Sequence, residues 1–194
     1  MPFLSQIRAT PNLLTLLRLF IVPFIVIEIL DSDFRTAFAL FLLAGITDAL
    51  DGLLARWLSQ KTTLGQYLDP IADKLLLSTL FLVLTHVALI PRYVTVLVFS
   101  RDLGILLIST LLFATGTLRN FRPSRLGKLN TLVQILSVVT VMSERVFTSA
   151  GWTAAAMLGS ISVGLLRVVA VLAPVSAAQY AWIVLRRINA PTAV

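Results

Sequence analysis

The chain has 194 residues, 58% of them hydrophobic and 13% charged, with a mean hydropathy of +0.94. Soluble domains are about 45–50% apolar and about 25% charged, and a membrane-crossing helix takes roughly 20 mostly apolar residues, so this length holds at most about six or seven spans and no large soluble catalytic domain. The net charge of +7 does not point to nucleic acid, because the basic residues punctuate apolar runs rather than forming one solvated face, and the lack of Cys excludes a thiol nucleophile, a disulfide framework and a Cys-ligated metal.

Residues 12–30 (NLLTLLRLFIVPFIVIEIL) read as a first span, entered from a short amphipathic start that includes Arg8. A secretory signal would run into a small-residue cleavage site. Asp31-Ser32-Asp33 follows instead, so this segment is expected to be a retained helix. A second span is expected over 34–58 and a third over 65–89, with Pro91-Arg92 marking the turn into a fourth over 93–116. A basic connector, 118–128, leads to a fifth span over 129–147. Gly151-Trp152 then opens a small-residue stretch before a last span over 162–185, which ends at Arg186-Arg187. No repeat or linker divides the chain, so residues 1–194 are expected to form one all-α integral membrane domain of six transmembrane helices.

Basic residues orient such a domain by collecting on the cytoplasmic side. Arg8, Arg18, Arg56, Lys61, Arg119, Arg122, Arg125, Lys128, Arg186 and Arg187 fall on one side, ten in number, against Arg35, Arg92 and Arg145 on the other. Both termini are therefore expected to be cytoplasmic. Trp57, Trp152, Trp182, Tyr67 and Tyr93 lie near span ends, where aromatic rings anchor at the interface.

Asp48, Asp51, Asp69 and Asp73 all fall at the cytoplasmic ends of the second and third spans. An Asp near a helix centre costs about 2.5–3.5 kcal/mol on insertion scales, so four clustered acids need a counter-charge. Neighbouring side chains hardly supply one: Lys74, next to Asp73, points about 100° away from it on a helix. On the same helical geometry Asp48 and Asp51 lie within about 60° of each other, and Asp69 and Asp73 within about 40°. A short connector makes these helices antiparallel neighbours, so the four carboxylates converge at one depth. Oxygen-only donor sets select hard divalent cations, Mg²⁺ or Mn²⁺. Four acids exceed what one Mg²⁺ takes, which suggests two ions and phosphoryl chemistry. Gly52 and Ala55 leave room beside the acids, and Arg56 suits a phosphate. An ion-coupled transporter would also use intramembrane acids, but its path would extend into the far half of a span, where none of these four lies.

The string Asp48-x-x-Asp51-Gly52-x-x-Ala55-Arg56, then eight residues, then Gly65-x-x-x-Asp69-x-x-x-Asp73 resembles the signature of the CDP-alcohol phosphatidyltransferase family at every fixed position. Pro11-Asn12-x-Leu14-Thr15-x-x-Arg18, followed by Pro23, resembles that family's first-helix pattern. Ser100-Arg101-Asp102 and Gly127-Lys128-x-Asn130-Thr131-x-x-Gln134 resemble acceptor-side segments of phosphatidylglycerophosphate synthases and CMP-forming cardiolipin synthases.

The resemblance implies a six-helix membrane fold, usually homodimeric, that moves a phosphatidyl group from CDP-diacylglycerol to an alcohol and releases CMP. On that pattern Asp48, Asp51, Asp69 and Asp73 hold two Mg²⁺ or Mn²⁺ ions, and Asp73 is also the general base. Asn12, Thr15, Gly52, Ala55, Arg56 and Gly65 line the CDP-lipid site. Base catalysis by a carboxylate beside two cations is expected to be concerted with attack.

The acceptor is read from basic residues. Arg101 sits about nine residues into the fourth span, too deep for an ordinary interface anchor, and Arg125 and Lys128 flank the start of the fifth. Their convergence would form a pocket for an anionic acceptor, and glycerol 3-phosphate is preferred because the site stays strongly basic. Arg119 and Arg122 are assigned instead to attraction of anionic headgroups, worth about 1 kcal/mol each. Bacterial phosphatidylglycerophosphate synthases usually carry Arg-Glu and Lys-Thr where this chain has Arg101-Asp102 and Asn130-Thr131. Those two pairs look more like CMP-forming cardiolipin synthases, which makes phosphatidylglycerol the alternative acceptor. The expected setting is a bacterial inner membrane with the site open to the cytoplasm. His86 reads as an interfacial residue, Arg145 as a partner of Glu144, and Arg167 as a partner of Glu144 or Glu28 or a snorkelling side chain. Gly159 and Gly164 suggest close helix packing.

Overall fold

The computed structural model describes residues 10–57, 63–114 and 125–188, with side chains described for 15–48, 72–108 and 125–186. Among these residues the fold is all-helical: α1 (Thr10–Leu30), α2 (Phe34–Trp57), α3 (Thr63–His86), α4 (Arg92–Ala114), α5 (Arg125–Ser149) and α6 (Ala154–Ile188). Two boundaries differ from expectation by more than a turn. Helix α5 starts at Arg125, so Arg125 and Lys128 sit on its first turn rather than in a connector. Helix α6 starts at Ala154 because the small-residue stretch is rich in alanine, the strongest helix former.

Three of the turns share one construction. Ser32, Ala88 and Gly151 each adopt a left-handed conformation, with φ of 64°, 59° and 72°. The next residue donates back across the helix end: Asp33 N to Glu28 O at 2.9 Å, Leu89 N to Leu84 O at 2.8 Å, and Trp152 N to Phe147 O at 3.1 Å. With the companion bonds Ser32 N to Ile29 O, Ala88 N to Thr85 O and Gly151 N to Thr148 O, each turn is a Schellman closure that satisfies otherwise orphaned carbonyls. Asp33 also caps α2, accepting from the backbone N–H of Arg35 and Thr36 at 3.2 Å and from Thr36 Oγ1 at 2.7 Å. These hydrogen bonds hold its carboxyl below the usual carboxylate value, the Thr36 hydroxyl contributing most.

Helix α1 packs on α2 and α3, α2 on α5, α3 on α4 and α5, α4 on α6, and α5 on α6. The core runs between them through Ile21, Ile25 and Ile29 of α1, at the i, i+4 spacing of one helix face, against Phe41 of α2, Leu80 and Leu84 of α3, Val94 of α4, Met142 of α5 and Val169 of α6. The outward faces are apolar as well: Phe20, Val96, Met157 and Val171 are exposed. Helices apolar all round belong in a larger core or a membrane, and α5 and α6 are long and apolar enough to cross one. Thr85 and Thr95 share a 2.5 Å hydrogen bond that joins α3 to α4 within this packing.

Candidate functional site

The two signature carboxylates with described side chains meet on a residue from another helix. Arg18 of α1 is buried to 1% exposure and reaches Asp48 of α2 through Nη2, 2.5 Å from Oδ1, and Asp73 of α3 through Nη1. The carboxylate side chains are 47% and 48% exposed. One guanidinium thus forms the floor of the site, and two carboxylates open away from it. The planar fork of arginine, with several N–H donors at fixed angles, is the side chain able to hold two carboxylates at once. Thr15, one turn before Arg18 on the same helix, is fully buried.

The sequence-based expectation that side chains hardly supply a counter-charge is therefore corrected for Asp48 and Asp73. Arg18 is not one of the solvated charges that set topology. It faces inward because α1 packs on both α2 and α3, so the residue one turn below the isoleucine stripe points into the space between them. The sequence carries a signal for this: Arg18 lies well inside an apolar run, as Arg101 does.

Asn12 lies on α1, Asp51, Gly52, Ala55 and Arg56 on α2, and Gly65 and Asp69 on α3. What surrounds these seven lies outside the described residues. Their helical backbones keep the registers read from the sequence, with Asp51 one turn after Asp48 and Asp73 one turn after Asp69. Among the described residues no group of three or more His, Cys, Asp or Glu side chains gathers. The Oδ1 atoms of Asp48 and Asp73 converge on the Arg18 guanidinium, and the two half-exposed carboxylates are oxygen donors of the kind hard divalent cations take.

A second polar knot ties α3, α4 and α6. Asp102 Oδ1 accepts from Lys74 Nζ at 2.7 Å and from Arg101 Nη1 at 2.5 Å, and Arg101 Nε donates to Ser176 Oγ at 3.2 Å. Lys74 does turn away from Asp73, as its helical position requires, and Asp102 is what it turns toward. A cavity of about 200 Å³ adjoins the knot, lined by Lys74, Ser78, Phe99 and Asp102 among others. Arg101 and Asp102 are both buried, whereas Arg125 and Lys128 are exposed on the first turn of α5. The expected convergence of these three cations does not appear as a contact: the described partners of Arg101 are Asp102 and Ser176.

On α5 the sequence named Asn130 and Gln134 only through a resemblance. The structure buries both completely, one turn apart on one face, and none of their four side-chain polar atoms has a partner among the described residues. Buried amides are nearly always satisfied.

The described residues thus form an all-helical bundle in which acids from two helices meet on one buried guanidinium, beside further buried polar groups. A family model for CDP-alcohol phosphatidyltransferase matches residues 8–166, and the chain belongs to that family. It is 37% identical over 158 residues to a Rattus norvegicus protein named cardiolipin synthase (CMP-forming), covering 72% of this chain and 52% of that protein. It is 36% identical over 140 residues to a Mycobacterium tuberculosis protein named "Probable phosphatidylglycerophosphate synthase", covering 69% and 66%. To the CDP-diacylglycerol--glycerol-3-phosphate 3-phosphatidyltransferase of Bacillus subtilis it is 31% identical over 147 residues, covering 68% and 75%. The chain spans about half the length of the mammalian cardiolipin synthases it matches.

Proposed function

We propose that this chain transfers a phosphatidyl group from CDP-diacylglycerol to the hydroxyl of an anionic glycerol-bearing acceptor, releasing CMP, in phospholipid synthesis. The observation that carries the reading is the meeting of Asp48 and Asp73 on the buried fork of Arg18, because it assembles signature acids from two helices into one half-open site. All six helices cross the membrane in this reading. Both termini and the site face the cytoplasm, the setting is a bacterial inner membrane, and the working unit is a homodimer. The apolar outward faces of the helices support the membrane crossing.

Asp48, Asp51, Asp69 and Asp73 would hold two Mg²⁺ or Mn²⁺ ions. Bound there, the ions supply Lewis-acid polarisation of the diphosphate and charge neutralisation of the leaving CMP. Arg18 keeps Asp48 and Asp73 in register, so that Asp73 can accept the proton of the acceptor hydroxyl as its oxygen bonds to phosphorus and the bond from phosphorus to CMP breaks. Asn12, Thr15, Gly52, Ala55, Arg56 and Gly65 form the wall for the CDP moiety.

For the acceptor we propose phosphatidylglycerol ahead of glycerol 3-phosphate. Asp102 offsets one of the two cations at the Arg101 knot, leaving a net charge of +1 with Lys74, which matches a phosphodiester monoanion better than a phosphomonoester dianion. Asn130, buried and uncharged, offers an amide to a glycerol hydroxyl without adding positive charge. Arg125 and Lys128, exposed on the first turn of α5, would draw the anionic lipid in from the membrane surface before its phosphate reaches the Arg101 knot. Glycerol 3-phosphate stays as the second reading because two of the relatives are named for its product or for that reaction.

The test is CMP release by purified protein in detergent with CDP-diacylglycerol, Mg²⁺ or Mn²⁺, and each acceptor in turn. Release with phosphatidylglycerol and not with glycerol 3-phosphate is expected, and the reverse preference selects the second reading. No CMP with any acceptor sinks the transferase reading and revives the ion-coupled transporter. Asp73→Asn should abolish turnover while CDP-lipid binding stays measurable. Near-normal turnover in that variant removes Asp73 as the base.

A further inference from the structure

At the end of the bundle away from Asp48 and Asp73, a cavity of about 800 Å³ opens between the α3–α4 turn, the last turns of α5 and the first turns of α6. The rise of α3 separates it from Asp73 by about 20 Å, so it is no part of the transferase site. Its walls carry Tyr93, Glu144, Arg145, Ser160, Ser162 and Arg167.

The charges of this cavity do not cancel internally. Ser162 Oγ donates to Glu144 Oε2 at 3.3 Å, and Gly159 closes over the same carboxylate, where a Cβ would lie 3.0 Å from Oε1. The sequence suggested that Glu144 would pair with Arg145 or Arg167. Neither pair forms, and among the described residues neither arginine has an ion pair or a hydrogen bond. One carboxylate against two guanidiniums leaves a net charge of +1. Arg167 is the fourteenth residue of α6, about 20 Å along the helix from its start at 1.5 Å per residue. A guanidinium at that depth of a bilayer normally faces a cavity and has a partner there. Two arginines beside a cavity with hydroxyls in its wall have the chemistry that binds phosphate oxygens.

We propose that this cavity binds one phosphate-bearing anion from the non-cytoplasmic side, gripped by Arg145 and Arg167. The phosphate belongs either to a phosphodiester lipid headgroup or to a free phosphate ion. Val163 and Leu166 give the cavity an apolar wall, and its volume exceeds what a lone phosphate fills, which favours the lipid. The proposal rests on the membrane-spanning reading and not on the transferase reaction.

The test uses the full chain in detergent micelles and measures binding in two arms, one with dioleoyl phosphatidylmethanol and one with inorganic phosphate. Phosphatidylmethanol is a phosphodiester without a free hydroxyl, so it cannot serve as an acceptor. The double substitution Arg145→Gln and Arg167→Gln should weaken binding roughly tenfold or more, as expected when two charge-assisted contacts are lost, and should leave CMP release unchanged. Replacing both arginines by Lys should recover part of the loss. Val163→Trp, which fills the cavity and keeps both charges, should weaken lipid binding similarly and guards against a Gln variant that fails to fold. A lipid-arm difference between wild type and the Gln variant identifies a headgroup site, and a difference in the phosphate arm alone identifies a free-ion site. Equal binding by wild type, the Gln variant and Val163→Trp in both arms overturns the proposal. Failure of CMP release with every acceptor bears on the transferase reading alone.

Discussion

Replacing Arg18 by Met separates the brace from the acids it holds. Methionine keeps much of the apolar length of the arginine stem but removes the fork that joins Asp48 to Asp73. Breaking a fully buried ion pair costs about 3–5 kcal/mol. Here the cation is buried and both carboxylates are about half exposed, so the freed acids regain water and only part of that penalty applies. A net effect of about 2 kcal/mol on the organised site is reasonable, and if it falls on the transition state it lowers turnover about thirtyfold. Arg18→Lys restores a positive charge but not the fork, so it should recover some thermal stability in detergent and little of the rate. The assay is steady-state CMP release at saturating CDP-diacylglycerol, run with unfolding curves for each variant. Turnover by Arg18→Met within about twofold of wild type, equivalent to less than about 0.5 kcal/mol, would refute the argument that Arg18 organises the acids.

Further expectations concern the second polar knot, the acceptor face and the capped turn. Asp102→Asn leaves Arg101 buried without its carboxylate and Lys74 without its partner, and should lower stability in detergent by about 3 kcal/mol, the lower end for a broken buried pair. Unchanged unfolding would show that Ser176 and solvent suffice. Asn130→Lys adds a cation to a buried position on the acceptor side and should raise the ratio of glycerol 3-phosphate to phosphatidylglycerol use in the CMP assay. An unchanged ratio removes Asn130 from acceptor choice. Asp33 has its carboxyl held below the ordinary value of 3.8, so its stabilising contribution is present above that value and is lost as the pH falls through the lower folded one. Asp33→Asn keeps most of the cap without the charge, so its unfolding temperature should depend less on pH below about 4 than that of wild type. Parallel pH profiles would contradict the role given to the carboxylate.

By itself the sequence determined the helical class, the rough position of all six helices and the register of the signature acids. Each of these follows from short-range regularities: long apolar runs, turn-forming residues such as Ser32 and Gly151, and the angular geometry of i, i+3 and i+4 spacing. Helix α6 starts eight residues before the expected span because its alanine-rich first turns are less apolar than a span centre yet strongly helical. Tertiary structure alone decided what faces what. Arg18 and Asp73 are 55 positions apart, Lys74 and Asp102 28, and Arg101 and Ser176 75, and no local pattern indicates that such side chains meet. Periodicity gives the face of a helix on which a charge lies, and the packing of α1 between α2 and α3 decides whether that face meets water, lipid or a carboxylate. The same reason explains Arg101, whose depth was legible but whose partner Asp102, its own neighbour in the chain, became evident only once α3 and α6 enclosed the pair.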